Sequence, residues 1–293
     1  IVTNVAVMTL TFIINVINAD LGNAGTIIAQ ATNSILGSYF ANAGSSLIIQ
    51  GQDYPVYAHA TLIVDSGFTN HGLIELTDNA FQSFNPNATL IVNNGTLVNA
   101  ADGEIVSAYG TIYGAGRTIE AEIDNQGTIT VNRSLLLRKA SAQHTSSGTI
   151  VVNTGNLTFD NLGNPGSLTN SGVIDIQSGS VIFGAAIDLV INEHGILDFG
   201  NSGELRLQGG MHGTTKNASQ FAFLGSLRVS GGNSGSPRLL EVMGIDEGPV
   251  GSGFVNNFAY GTLRLDSAYI QLVDANDNGF GGGAEALYVD TLI

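Results

Sequence analysis

The chain has 293 residues, of which 39 are glycine, 11% carry charge, and none is cysteine or tryptophan. Ordinary domains hold about 7% glycine and about 25% charged residues, so a typical helical globular protein is excluded, and so are disulfide frameworks and thiolate chemistry. A formal net charge of −15, from 9 basic against 24 acidic side chains, disfavours nucleic acid and anionic lipid surfaces as partners, because both would repel it, and makes cations the natural counter-charge.

In chain order, the first apolar run is Val5 to Ile17. Thr9, Thr11 and Asn15 interrupt it and no basic flank precedes it, so it fits neither a membrane-spanning helix nor an intact signal peptide. Residues 1–20 read as strand, a cap or donor segment, and the start at Ile1 instead of Met suggests a processed or partial chain.

From residue 21 to 229 a repeat dominates. Gly-x-apolar-x-apolar recurs from Gly72, Gly127, Gly148, Gly172 and Gly195, with weaker copies at Gly25 and Gly103. Successive intervals from Gly25 are 47, 31, 24, 21, 24 and 23 residues, the first close to two periods, so one unit is about 23 residues. Asn23, Asn70, Asn125 and Asn170 stand two residues before such a glycine, where a tight corner with positive φ is expected.

A second strand pattern returns at Leu157, Val181 and Leu205, and a third short alternating run is seen at Ile119 to Ile123 and Ile187 to Ile191. Three strands and three corners therefore fill one unit. A strand of three to five residues cannot bury its apolar face alone, so it must stack on its equivalent in the next unit, about 4.8 Å away. The expected fold is an all-β, right-handed parallel β-solenoid with roughly triangular coils. Its columns should contain Ile74, Leu76, Ile129, Val131, Ile150, Val152, Ile174, Ile176, Leu197 and Phe199.

Two stretches break the period. Tyr54-Pro55-Val56-Tyr57, within 50–60, reads as a loop leaving the solenoid, and 230–260, rich in glycine, proline and serine, reads as an irregular excursion. Residues 261–293 form a closing strand module.

Runs such as Phe68-Thr-Asn-His-Gly72, Ile123-Asp-Asn-Gln-Gly-Thr-Ile129 and Leu168-Thr-Asn-Ser-Gly172 resemble the repeats of secreted bacterial β-solenoid surface proteins of the filamentous-haemagglutinin-like and autotransporter-like kind. The closing stretch, Leu263 to Val273 and Glu285 to Val289, is similar to the C-terminal module of such proteins. The resemblance covers roughly residues 60–293. It implies an extracellular or cell-surface protein in adhesion or scaffolding, without a catalytic site.

The sharpest candidate site is Asp274-Ala-Asn276-Asp-Asn278-Gly279 followed by Glu285, which matches a calcium loop at positions 1, 3, 5, 6 and 12. Oxygen ligands at alternate positions, closed by a bidentate glutamate, suit a hard cation. The expected ligands are Asp274, Asn276, Asn278, the carbonyl of Phe280 and Glu285, flanked by strands instead of helices. The competing reading is an ordinary Asn/Asp/Gly turn. Glu120, Glu122 and Asp124 alternate with inward Ala121 and Ile123 and read as a solvated face balanced by Arg133, Arg138 and Lys139. The five histidines show no ligand spacing, and His71 and His194 precede repeat glycines as corner residues. Thr9/Thr11 and Thr128/Thr130 do not recur coil after coil, as an ice-binding face would require.

These features favour an extracellular structural or adhesive protein, not an enzyme, self-associating head to tail into filaments and meeting a cell-surface or polysaccharide partner. The alternative is a polysaccharide lyase or hydrolase on the same fold, which needs outward charged residues clustered across adjacent coils.

Overall fold

The computed structural model describes residues 1–11, 15–52, 57–79, 85–110, 115–223, 225–279 and 283–293. Strand dominates it, and among the described residues the helical turns are two 3-10 segments, Ala218–Gln220 and Gly251–Phe254. The chain folds as a parallel β-solenoid. By contact density it divides into two compact units, residues 1–139 with 154–157, and 140–153 with 158–293.

In the first unit, Thr26–Ala29, Ser46–Gly51, Leu73–Asp78, Glu104–Ser107 and Thr128–Val131 pair in parallel register. The register aligns Ile27, Leu47, Ile74, Ile105 and Ile129 in one column, all 0–1% exposed. Each such side chain stabilises the fold by about 1.5–3 kcal/mol through removal from water. A second face stacks Leu62, Leu90, Ile119 and Leu137. The segment before residue 20 supplies three strands, Val2–Asn4, Val7–Leu10 and Asn15–Ile17, which pair as a coil with Leu21–Asn23, Thr26–Ala29 and Thr32–Ile35.

The long interval between Gly25 and Gly72 is resolved by this register: a complete coil lies between them, with Ser45 where its neighbours have the repeat glycine. Spacing along the column is uneven, shortest from Ile27 to Leu47 and longest from Ile74 to Ile105, so strand register is held while coil length varies. Loops absorb the difference. One of them is pinched at its neck, where Gln52 and Ala58 exchange main-chain hydrogen bonds of 2.8 and 2.9 Å. Tyr54, Pro55 and Val56, expected to leave the solenoid there, lie outside the described residues.

In the second unit, Ile150, Ile174 and Leu197 stack, followed by Phe221 at 7% exposure, and Val152, Ile176 and Phe199 form the neighbouring column. Spacing here is nearly even and keeps close to the expected period. Val181, Leu205, Leu227 and Leu263 stack on another face, with Phe159 and Phe183 rings parallel at 4.9 Å. Within the stretch expected to be irregular, Arg238–Glu241 is a regular coil strand paired with Ile270–Val273. The excursion that follows returns at Ala259–Asp266.

The repeat asparagines work differently from expectation. Asn23, Asn70, Asn125 and Asn170 have no positive φ, and they are inward-facing strand residues 0–1% exposed. Two of them, with Asn99 between, form a carboxamide ladder: Nδ2 of Asn70 donates to Oδ1 of Asn99 at 2.9 Å, and Asn99 does the same to Asn125 at 2.8 Å. The same amides donate to main-chain carbonyls across the corner, Asn70 to Gly72 and Asn99 to Thr128. Buried polar groups must be paired, and asparagine, with a donor and an acceptor on one short stem, satisfies both the next coil and the turn. The repeat glycines likewise serve close approach and not positive φ: a Cβ on Gly72 would stand 2.2 Å from the Ser45 carbonyl oxygen.

Candidate functional site

The strand Ile270–Val273 leads into the candidate loop, and Glu285–Ala286 leaves it, pairing antiparallel with Gly244–Ile245. The flanks are strands, as the sequence pattern suggested. The loop is clasped at three points. Glu241, fully buried, accepts at Oε1 from the main-chain N–H of Ala275 at 3.0 Å and of Asn276 at 2.7 Å, and from Asn276 Nδ2 at 3.2 Å. Its Oε2 faces His212 Nδ1 at 3.4 Å.

Asn278 is 1% exposed, and its Nδ2 donates to the carbonyls of Gly213 at 3.0 Å and Thr215 at 2.7 Å. Glu285 Oε1 accepts from the main-chain N–H groups of Asn278 and Gly279. Asp277 pairs with Lys216 at 3.3 Å on the surface, and Asp274 is exposed. Burial pushes the Glu285 carboxyl above the ordinary glutamate range; the two loop N–H groups oppose that shift, and the charges of Asp274 and Asp277 add to it.

The structure thus brings Asp274, Asn276, Asn278 and Glu285 into one loop. Phe280, the fifth expected ligand, and Gly281 and Gly282 lie outside the described residues. Gly279 has no positive φ, and its contribution is a main-chain donor to Glu285. Among the described residues no three His, Asp or Glu side chains form a metal-holding cluster, so any cation here would rely on amide and main-chain oxygens as well as carboxylates. Glu241 was not legible as part of this region, because the turn it anchors begins 34 residues later.

The other candidates are dispersed. Glu120, Glu122 and Asp124 project outward as expected, but a register shift divides their neighbours: Glu120 lies opposite Ile91 and Glu122 opposite Thr96. Glu120 pairs with Arg138, Glu122 accepts from Thr96 Oγ1 at 3.1 Å, and Asp124 accepts from Gln126 at 2.7 Å. Lys139 donates instead to the carbonyls of Val92 and Asn93. His71, exposed at its corner, meets Asp102 at 2.8 Å, and that contact holds the Asp102 carboxyl below its usual range. His194 is also exposed at a turn.

Two further features escaped the sequence reading. Arg117 is 1% exposed within the coil, ion-paired to buried Asp78, with Nε donating to the Leu76 carbonyl at 3.1 Å. Alternation along Arg117-Thr-Ile-Glu-Ala-Glu-Ile already places Arg117 on the inward side, which was the available signal. The other is an outward threonine column, Thr32, Thr61, Thr89 and Thr118, in register on four successive coils. Its members stand farther apart along the chain than the repeat glycines of the second unit do, so the period of the repeat does not reveal them.

Fold and site together define a parallel β-solenoid whose closing turn, at Asp274 to Gly279 with Glu285, is rich in side-chain oxygens. Comparison with protein-family models, with curated proteins and with solved structures gave no match. Among the described residues, no helix is long and apolar enough to cross a membrane.

Proposed function

We propose that this chain is a structural or adhesive solenoid module acting outside the cell, with self-association through head-to-tail stacking of coils. The observation that carries this reading is where the outward charges go. Glu120 pairs with Arg138 on the adjacent coil, Asp266 pairs with Arg228 on the adjacent coil and with Arg264 beside it, and Glu122 bonds to Thr96 across coils. Charge spent on bonding coil to coil supports a load-carrying surface; hydrolysis or elimination on a polysaccharide needs carboxylates converging on one bond. The likeness to haemagglutinin-like repeats supports the same location and role. Parallel pairing in register, the contact that joins coils within the chain, is also the contact that would join one copy to another.

Electron microscopy of the purified chain, together with reducing-end and unsaturated-product assays on a panel of acidic and neutral polysaccharides, tests the proposal. Filaments with no product support it. Catalytic release of oligosaccharides would replace it with the lyase or hydrolase reading, and isolated particles at high concentration would remove self-association.

A further inference from the structure

We infer that Asp274, Asn278 and Glu285 assemble a calcium site at the turn that follows the strand Ile270–Val273. The argument starts from two oxygens buried without a hydrogen-bond donor, Asn278 Oδ1 and Glu285 Oε2. Leaving such an atom unpaired costs about 1–3 kcal/mol, and more for a charged one. Amide inversion cannot relieve Asn278. Its Nδ2 already donates to two carbonyls, Gly213 and Thr215, and inversion would press Oδ1 against both.

The two orphan oxygens belong to one small structure. Glu285 Oε1 sits on the main-chain N–H of Asn278 itself, so the carboxylate and the carboxamide share that residue's immediate surroundings. Glu285 therefore uses one oxygen to close the turn and keeps the other. Asn276 follows the same division, committing Nδ2 to Glu241. In both asparagines the donor end is tied to the protein and the oxygen is the end that remains.

Charge points the same way. Asp274 and Asp277 both act on Glu285, and in this loop Lys216 reaches only Asp277, from the surface. A divalent cation would neutralise Asp274 and Glu285 and supply the missing partner for Asn278. The donors are all hard oxygens of mixed type, carboxylate and carboxamide. That set suits calcium, which accepts 6–8 oxygens in flexible geometry, better than magnesium, which requires near-ideal octahedra and sheds water reluctantly.

The test is calorimetric titration of the whole chain, stripped with a chelator, with calcium chloride and separately with magnesium chloride, alongside thermal melting. Expected are one calcium per chain, with a dissociation constant of roughly 10⁻⁴–10⁻³ M as in extracellular modules, and a calcium-dependent rise in melting temperature. Asp274→Asn is the informative variant, because Asp274 is exposed. It should not lower metal-free melting, since it removes a like charge acting on Glu285, yet should weaken calcium about tenfold or more, and Glu285→Gln should abolish binding. Absence of saturable heat at about 10 mM calcium, well above that range, would overturn the assignment. So would unchanged affinity in Asp274→Asn, or equal binding of magnesium.

Discussion

Replacing Arg117 by methionine removes a guanidinium that is fully enclosed, as is its partner Asp78, each side chain 0% exposed. Burial alone disfavours the charged arginine and lowers its pKa, and Asp78 is the group that opposes this. Breaking a buried pair from one side costs about 3–5 kcal/mol because the other charge stays behind. Arg117 also donates to the carbonyls of Leu76 at 3.1 Å and Gly116 at 3.3 Å, and removing a typical hydrogen bond adds about 1 kcal/mol. Arg117→Met is therefore expected to lower unfolding free energy by about 4–6 kcal/mol, summing these costs. Asp78→Asn, which strands the guanidinium, should cost about 3–5 kcal/mol. The double variant should be less damaging than the sum of the two by about 3 kcal/mol, since neither charge is then stranded. Urea unfolding followed by circular dichroism, completed as a double-mutant cycle, measures all three. A cost below about 1 kcal/mol for Arg117→Met, or strictly additive variants, would refute the claim that the pair is a coupled buried unit.

Further expectations follow from the ladder, the corners and the loop. Asn99→Ala removes the bonds to Asn125 and Thr128 and the acceptor for Asn70, and should cost about 2–4 kcal/mol in the same unfolding assay. Gly72→Ala puts a methyl group against the Ser45 carbonyl, a backbone atom that cannot rotate away, and should cost about 1–3 kcal/mol. For Glu285 the folded pKa is raised above 4.5, so the folded state binds the proton more tightly than the unfolded chain does. Metal-free stability should then fall as pH rises from 4.5 through that raised value, and Glu285→Gln should flatten the decline in a series of melting curves.

Legibility in the sequence followed the range of the interaction. Ile74, Ile129, Ile174 and Leu197 announce themselves because two-residue alternation is local, and parallel stacking only repeats it. The calcium-type pattern is equally local, and the structure keeps Asp274, Asn276, Asn278 and Glu285 in one loop. What escaped depends on partners that lie across irregular distances. Ser45 replaces the expected glycine, so its coil reads as a gap; Asp78 meets Arg117 over 39 residues; and the threonine column recurs at a spacing that belongs only to the longer coils. The asparagines stand out at the right positions, but for a reason other than backbone freedom. Backbone permissiveness and a laddering amide leave the same mark in a sequence, and only register tells them apart.

The uneven spacing of Ile27, Leu47, Ile74, Ile105 and Ile129 along one column says where this chain can accept new material. Gln52 and Ala58 are stitched together by two main-chain hydrogen bonds, so the two ends of added sequence would meet there without parting the columns beneath. Peptides of foreign sequence could be displayed there as cargo, while at the Asn-Gly corner a single added residue would unseat the amide on either side. Tolerance in this molecule is thus a property of position around the coil, and a deep insertion scan would trace it as alternating permissive and forbidden bands.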